Sequence, residues 1–80
     1  MPECKIEEGD LRDGAIDILS ILVKAELVPS RSEARRAVEQ GGVTVDGDKM
    51  TDIKKLYTKE ELIAGLVVRR GKKAFKKIVF

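Results

Sequence analysis

The chain has 80 residues, of which 42% are hydrophobic and 38% are charged, and its formal net charge is +2. This length predicts one domain with one core, which buries about 60% of the surface that the unfolded chain exposes. A single cysteine, Cys4, excludes an intramolecular disulfide bond, and the absence of histidine leaves the usual zinc ligand sets incomplete, so we expect neither a metal nor a cofactor.

Residues 1–14 predict an acidic lead-in rather than a targeting segment. They lack the basic-then-apolar order of a secretory signal, and no apolar stretch in the chain approaches the roughly 20 residues that span a bilayer. We therefore expect a cytoplasmic protein without a membrane contact. Residues 1–28 carry a net charge of −4 and residues 29–80 a net charge of +6, an asymmetry that favours a polyanionic partner.

The stretch from Ala15 to Leu27 has the apolar spacing of a largely buried helix. Its apolar side chains recur three and four positions apart, at Ile16, Leu19, Leu22 and Val23. Asp13 is the predicted N-cap. Pro29 pushes the residue before it out of the helical region and so ends the segment.

A second helix is predicted to begin at Ser30. Ser30 and Glu33 have the spacing of a capping box, in which each side chain bonds to the other residue's amide. A narrow seam of small apolar side chains allows this helix to pack closely on the first, at Ala34, Ala37 and Val38. Gly41 and Gly42 end the helix through a left-handed residue.

Two hairpins are predicted after the helices. Asp46-Gly47 is a favoured two-residue turn, and it joins a strand over residues 43–45 to one that includes residues 49–50. The second hairpin has strands over residues 66–70 and 73–80, with its turn at Gly71-Lys72.

The connector between the hairpins, residues 51–65, is polar and charged. Thr58 and Glu61 again fit a capping box, which predicts a short helical turn over residues 58–63. The predicted fold class is therefore α+β: two packed helices followed by a small antiparallel sheet of two hairpins, over residues 15–80.

The residue types of this chain argue against catalysis. No nucleophile can be paired with a histidine, and Gly41-Gly42 fits no phosphate-binding loop. The adjacent carboxylates Glu7-Glu8 and Glu60-Glu61 are typical of solvated charge rather than of acid-base chemistry. We expect no enzyme activity from these 80 residues.

Basic side chains cluster at the start of the second helix and along the final hairpin, at Arg31, Arg35, Arg36, Arg69, Arg70, Lys72, Lys73, Lys76 and Lys77. Guanidinium groups beside a helix N-terminus suit phosphate oxygens. The simpler alternative is that Arg35 and Arg36 only pair with Glu39 on the helix surface. Three scattered aromatic residues are too few for a base-stacking platform, so structured RNA is the favoured partner.

The segments 27–36 and 41–47 resemble the S-four RNA-binding domain, a family named after a small-subunit ribosomal protein. They combine the run Ser30-Arg31-Ser32-Glu33-Ala34-Arg35 with the hairpin Gly42-Val43-Thr44-Val45-Asp46-Gly47. The close of the chain, from Gly65 through Lys73 to an aromatic and apolar end, is similar to the C-terminus of bacterial tyrosyl-tRNA synthetases. The resemblance spans most of residues 16–80 and implies the S-four-like fold with its alpha-L motif.

This resemblance implies a non-catalytic module that holds tyrosine tRNA, including its long variable arm. An upstream Rossmann-type domain of the parent enzyme would perform the ATP-dependent aminoacylation. The isolated domain is expected to be a monomer and the parent a homodimer. The residues that the resemblance assigns to RNA contact are Ser30, Arg31, Ser32, Arg35, Arg36, Arg69, Arg70, Lys72 and Lys73.

Lys76 and Lys77 depart from the apolar pattern expected at this position, and at least one of them must face solvent or RNA. The acidic N-terminal third is expected to face away from RNA. Two other functions stay open: a stand-alone ribosome- or rRNA-binding factor, and a protein-interaction module whose basic face docks an acidic partner.

Overall fold

The computed structural model describes residues 2–71 and 74–80. The described part of the chain contains one 3-10 helix at Glu8–Asp10 and three α-helices, α1 at Ile18–Lys24, α2 at Arg31–Glu39 and α3 at Lys59–Ala64. Its strands are β1 at Glu3–Lys5, β2 at Ala15–Asp17, β3 at Val43–Val45, β4 at Asp48–Lys49, β5 at Leu56–Thr58, β6 at Leu66–Arg70 and β7 at Ala74–Val79. The α+β class is confirmed.

The larger sheet has five strands in the order β1-β7-β6-β3-β4. Strands β3, β4, β6 and β7 pair antiparallel, whereas β1 lies parallel to β7 at the sheet edge, with Cys4 opposite Ile78. Strands β2 and β5 form a separate antiparallel pair, with Ile16 opposite Tyr57. The hairpin strands were predicted from the sequence; β1, β2 and β5 were not.

A single hydrophobic core joins the helices to the sheet. Its largest fully buried side chains are Ile6, Ile18, Ile21, Leu22, Val38, Val43, Leu62, Val68 and Ile78. Full burial of a side chain of this size contributes about 1.5–3 kcal/mol. The Cys4 thiol also lies in this core, and burial raises its pKa, so it stays a protonated, poorly nucleophilic thiol at neutral pH.

The predicted helix over 15–27 is wrong at both ends. Asp13 and Gly14 both have positive φ, at 54° and 78°, and they form a turn that sends the next three residues into β2. The apolar Ile16 suits both the buried face of a helix and a buried position of a strand. In the structure it lies in a strand, because it pairs with Tyr57 of β5. The helix is instead capped by Asp17, whose carboxylate accepts a hydrogen bond from the Ser20 amide at 3.3 Å.

Helices α1 and α2 end in the same hydrogen-bonded motif. After α1, the Leu27 amide donates to the Leu22 carbonyl at 3.1 Å and the Glu26 amide to the Val23 carbonyl at 3.0 Å. After α2, the corresponding donors are the amides of Gly42 and Gly41. This is the Schellman pattern, which requires a left-handed residue after the C-cap. Gly41 supplies it at φ 74°, whereas α1 uses Glu26 at φ 60°.

The start of α2 and the first hairpin agree with the sequence prediction. The Ser30 hydroxyl accepts from the Glu33 amide at 3.3 Å, which is one half of the predicted capping box. Asp46 and Gly47 have φ values of 52° and 86°, as a type I′ turn requires. The Asp46 carboxylate also accepts from the Val67 amide at 2.9 Å, which ties this turn to β6.

The connector also contains the predicted helical turn. Thr58 and Glu61 form a complete capping box at the start of α3. Tyr57, just before it, is almost fully buried, and burial raises the pKa of its hydroxyl to about 12. None of the helices in residues 2–71 and 74–80 has the length and apolar character needed to cross a bilayer.

The strained C-terminus of α1 generates a stability prediction. Glu26→Gly removes the steric cost of a left-handed non-glycine residue, so we expect the free energy of unfolding to rise by about 1 kcal/mol. Urea unfolding followed by circular dichroism measures the change. Glu26→Ala, which keeps a β-carbon, is the matched control and should give no gain; an equal gain from both variants would contradict the prediction.

Candidate nucleic-acid interface

Helix α2 carries three of the predicted RNA-binding arginines on its solvent side. Arg31, Arg35 and Arg36 have side chains that are 59%, 61% and 67% exposed. At about 100° per residue, Arg31 and Arg36 lie about 140° apart around the helix, with Arg35 between them. The arginines therefore span the outer face from the α1 side to the sheet side.

The two serines at this helix start have different roles. Ser30 is the N-cap, and its hydroxyl oxygen accepts a hydrogen bond from the Glu33 amide. Ser32 is exposed on the first turn of the helix. The cap bond fixes the position of the Ser30 side chain but uses a lone pair of its oxygen and not its O–H donor.

Each of the two later arginines has a carboxylate neighbour on α2. Arg35 Nε lies 3.5 Å from Glu39 Oε1, as the simpler alternative predicted. Arg36 does not pair with Glu39; instead its Nη1 lies 3.7 Å from Glu33 Oε1. Exposed pairs of this kind contribute only about 0.2–1 kcal/mol, so an RNA phosphate can displace the carboxylate at little cost.

A groove of about 290 Å³ brings α2 and β6 together. Its lining includes Arg36 of the helix, Arg70 at the end of the strand, and the backbone of Gly42 and Gly71, together with the acidic Glu33. The Gly71 amide donates to the Gly42 carbonyl at 2.8 Å. This bond holds the end of β6 against the end of α2, so the two basic clusters of the sequence meet at one groove.

Arg69 does not join this groove. Side chains alternate along a strand, and Arg69 lies on the face opposite Val68, while Arg70 shares the face of Val68 at the strand end. The Arg69 guanidinium instead lies 5.9 Å from the centre of the Phe75 ring, within cation–π range. Lys72 and Lys73, the remaining predicted contacts of this hairpin, lie outside the described residues.

The two lysines that departed from the expected pattern occupy β7. Lys77 is exposed and Lys76 is half-buried. Lys77 lies opposite Val67 and Lys76 opposite Val68. The expectation that at least one of them faces outward is confirmed, by Lys77.

Arg31 faces a second and larger cleft, of about 670 Å³, between α1 and the chain before it. Its Nη2 donates to the Asp17 carboxylate at 3.0 Å, and its Nη1 donates to the Ser20 hydroxyl. The Ser20 hydroxyl in turn donates to Asp17 at 2.6 Å. Asp17 was not predicted to have a functional role, because its place beside Arg31 depends on the packing of α1 on α2.

The Asp17 and Asp10 carboxyl groups both have perturbed pKa values. Burial raises the pKa of Asp17, but hydrogen bonds from Ser20 and Arg31 outweigh it and bring the pKa below its ordinary value of 3.8. A hydrogen bond from Lys24, at 2.9 Å, and one from the Glu7 amide lower the pKa of Asp10. Residues 2–71 and 74–80 contain no group of three or more potential metal ligands.

Comparison with known proteins gives one consistent family. Residues 1–78 match the model of the tyrosine–tRNA ligase SYY-like C-terminal domain. The chain is 44% identical over 80 residues to a tyrosine–tRNA ligase of Clostridium botulinum strain Loch Maree, and 41% identical over 81 residues to that of Clostridium tetani. Both alignments cover 99% of this chain but 19% of the relative, so the chain spans about a fifth of the length of these proteins.

The lowered carboxyl pKa values predict a pH dependence of stability. A carboxylate whose pKa is depressed in the folded state stabilises the fold above its ordinary pKa, and this contribution is lost as the pH falls through the lowered value. We therefore expect the free energy of unfolding to decrease as the pH falls below about 4. Urea titrations between pH 2 and 7 measure it.

The variant Asp17→Asn tests the origin of that dependence. Asparagine is as good an N-cap as aspartate, so the helix should persist while the titrating group is lost. The decrease in stability below about pH 4 should be shallower in this variant than in the wild type. Parallel curves for the two proteins would mean that Asp17 contributes nothing to the acid sensitivity.

Proposed function

Because the chain belongs to the family of tyrosine–tRNA ligase C-terminal domains, we propose that it is the tRNA-binding module of such a ligase. Its ligand is tyrosine tRNA, whose backbone it holds across α2 and the α2–β6 groove. The observation that carries the proposal is the meeting of Arg36 and Arg70 at that groove. The module contributes binding, and the remaining four fifths of the ligase contribute the ATP-dependent aminoacylation.

The geometry suits a phosphate backbone better than it suits base recognition. Arg31, Arg35 and Arg36 lie along the outer face of α2, and Arg70 lines the groove together with Arg36. Planar guanidinium groups bind phosphate oxygens in two-point contacts. No aromatic side chain lines the groove among the described residues, so base stacking does not contribute there.

The charges of α2 favour a strongly polyanionic partner. Glu33 and Glu39 screen Arg36 and Arg35 in the free domain, which leaves the helix nearly neutral toward weakly charged surfaces. A phosphate backbone presents one charge per nucleotide and releases bound counterions when it docks. Because both pairs are exposed and weak, docking of such a backbone replaces both carboxylates at little cost.

The remaining predicted RNA contacts are assigned to the same proposed function. Ser32 is exposed beside Arg35 and Arg36 and can donate to a phosphate, while Ser30 contributes through its cap of α2. Arg69, with Lys72 and Lys73, provides a second contact along the final hairpin. Residues 15–80 carry all of the proposed RNA contacts, and of the acidic residues before them Asp10 and Asp13 line the same cleft as Arg31.

We place the module in the cytoplasm, as a monomer when isolated and as part of a homodimeric ligase when attached to its parent. The proposal of a stand-alone ribosomal factor loses support because the relatives that match 99% of this chain are ligases about five times its length. A protein-interaction role has no observation in its favour beyond the basic residues themselves.

Charge reversal at the groove tests the proposal. Arg36→Glu and Arg70→Glu should each weaken the binding of labelled tyrosine tRNA about tenfold at low salt, because each replaces an attraction to phosphate by a repulsion. Fluorescence anisotropy measures the affinity, and circular dichroism confirms the fold. Lys5→Glu is the matched control: it makes the same change in net charge at an exposed position of strand β1, near the opposite end of the sheet.

The outcome depends on the contrast between these variants. Binding that falls equally in all three would indicate a response to net charge alone. Binding that is unchanged in the groove variants would exclude the α2–β6 groove as the RNA contact.

Specificity is tested with tRNAs of different identity. We expect tyrosine tRNA to bind more tightly than leucine or serine tRNA at two salt concentrations, with all affinities decreasing as salt rises. The preference for tyrosine tRNA should persist at the higher salt, because shape recognition is less salt-sensitive than backbone attraction. Equal affinity for all structured RNAs would instead favour a general RNA-binding factor.

A further inference from the structure

The Arg31 side chain is held in a fixed position by two residues of α1 and its cap. Asp17 and Ser20 accept hydrogen bonds from different nitrogens of its guanidinium group. Asp17 is simultaneously anchored by the Ser20 amide at 3.3 Å and the Ser20 hydroxyl at 2.6 Å. The three side chains therefore form a closed hydrogen-bonded triangle across the α1–α2 contact.

This arrangement differs from the pairing of the other α2 arginines. Arg35 and Arg36 pair with carboxylates of their own helix through single contacts of 3.5 and 3.7 Å. Asp17 belongs to a different element, and only about a quarter of its side chain is exposed, compared with about half for Glu39. A guanidinium group bonded at two nitrogens to a half-buried support loses less freedom when it binds a phosphate.

The triangle leaves Arg31 able to bind. The bonds to Asp17 and Ser20 use two of the five N–H donors of a guanidinium group, and 59% of the Arg31 side chain is exposed. The other donors and the exposed edge are therefore available to solvent. An acidic residue beside a proposed RNA contact would ordinarily weaken binding, but here it orients the arginine.

We propose that Asp17 is a positioning residue for RNA binding, which holds Arg31 in the orientation that contacts a backbone phosphate. The inference rests on the proposed function, since it assigns Asp17 a role in that same interface. Ser20 completes the support. Charge repulsion alone predicts that a carboxylate weakens the binding of a polyanion. In the proposed role the Asp17 carboxylate strengthens binding, because it orients Arg31.

Two variants with the same change in charge separate positioning from electrostatics. Asp17→Asn and Asp13→Asn each remove one negative charge from the same cleft. Asparagine is suited to both sites: it caps helices as well as aspartate does, and it tolerates the left-handed backbone of residue 13. Asp13 makes no ion pair within residues 2–71 and 74–80.

We expect Asp13→Asn to bind tyrosine tRNA as tightly as the wild-type chain or up to about twice as tightly, since it only removes a repulsive charge. Asp17→Asn should bind about fivefold more weakly despite the identical change in net charge. Ser20→Ala, which leaves the charge unchanged, should weaken binding about twofold. Thermal unfolding by circular dichroism confirms that each variant is folded at the assay temperature.

A double-mutant cycle provides a readout that a purely structural role would not change. Arg31→Gln should weaken binding in the wild-type background and should have little further effect in the Asp17→Asn background. The slope of the logarithm of the binding constant against the logarithm of salt concentration should decrease by about one in both single variants. It should be unchanged in Asp13→Asn.

The possible results distinguish the two levels of the proposal. If Asp17→Asn binds as tightly as Asp13→Asn while Arg36→Glu still weakens binding, the positioning role is overturned and the proposed function stands. Additive effects of Asp17→Asn and Arg31→Gln would overturn it in the same way. If the wild-type chain does not bind tyrosine tRNA, both the proposed function and the role of Asp17 fail.

Discussion

The backbone hydrogen bond from the Gly71 amide to the Gly42 carbonyl, at 2.8 Å, determines where the two basic elements meet. It joins the end of β6 to Gly42, the last of the three residues between α2 and β3. Gly41 makes this junction short, because its left-handed conformation ends the helix and lets the chain enter β3 within two residues. Arg36 and Arg70 face one groove as a consequence of this backbone geometry, with no direct contact needed between them.

The proposed RNA-binding surface combines paired charges and is not uniformly basic. Arg31, Arg35 and Arg36 each have a carboxylate within 4 Å, yet the three pairs differ in their surroundings. The two pairs within α2 are exposed and weak, which under the proposed function leaves their arginines free to exchange a carboxylate for a phosphate. The pair between Arg31 and Asp17 is supported by Ser20 and by the packing of two helices. One helix thus combines adaptable cations with an oriented one.

Local signals in the sequence predicted the features that depend on a few neighbouring residues. The Ser30 cap, the Asp46-Gly47 turn and the Thr58–Glu61 capping box all lie within four residues, and each is present. The resemblance of the chain's close to the C-terminus of tyrosyl-tRNA synthetases also identified the family. The strands β1, β2 and β5 were missed because each is three residues long and is stabilised by partners distant in sequence. The pairing of Asp17 with Arg31 was missed for the same reason.

Strand β1 has a consequence for the order in which the molecule folds. Its residue Glu3 pairs with Lys77, so forming this contact closes a loop of almost the entire chain, whereas β3–β4 and β6–β7 join neighbouring segments. Closing a longer loop costs more chain entropy before any contact is gained. We therefore expect the helices and hairpins to assemble first, with β1 docking last onto an already formed β7. The α2–β6 groove, which lies at the Arg70 end of β6, would then form before β1 completes the sheet.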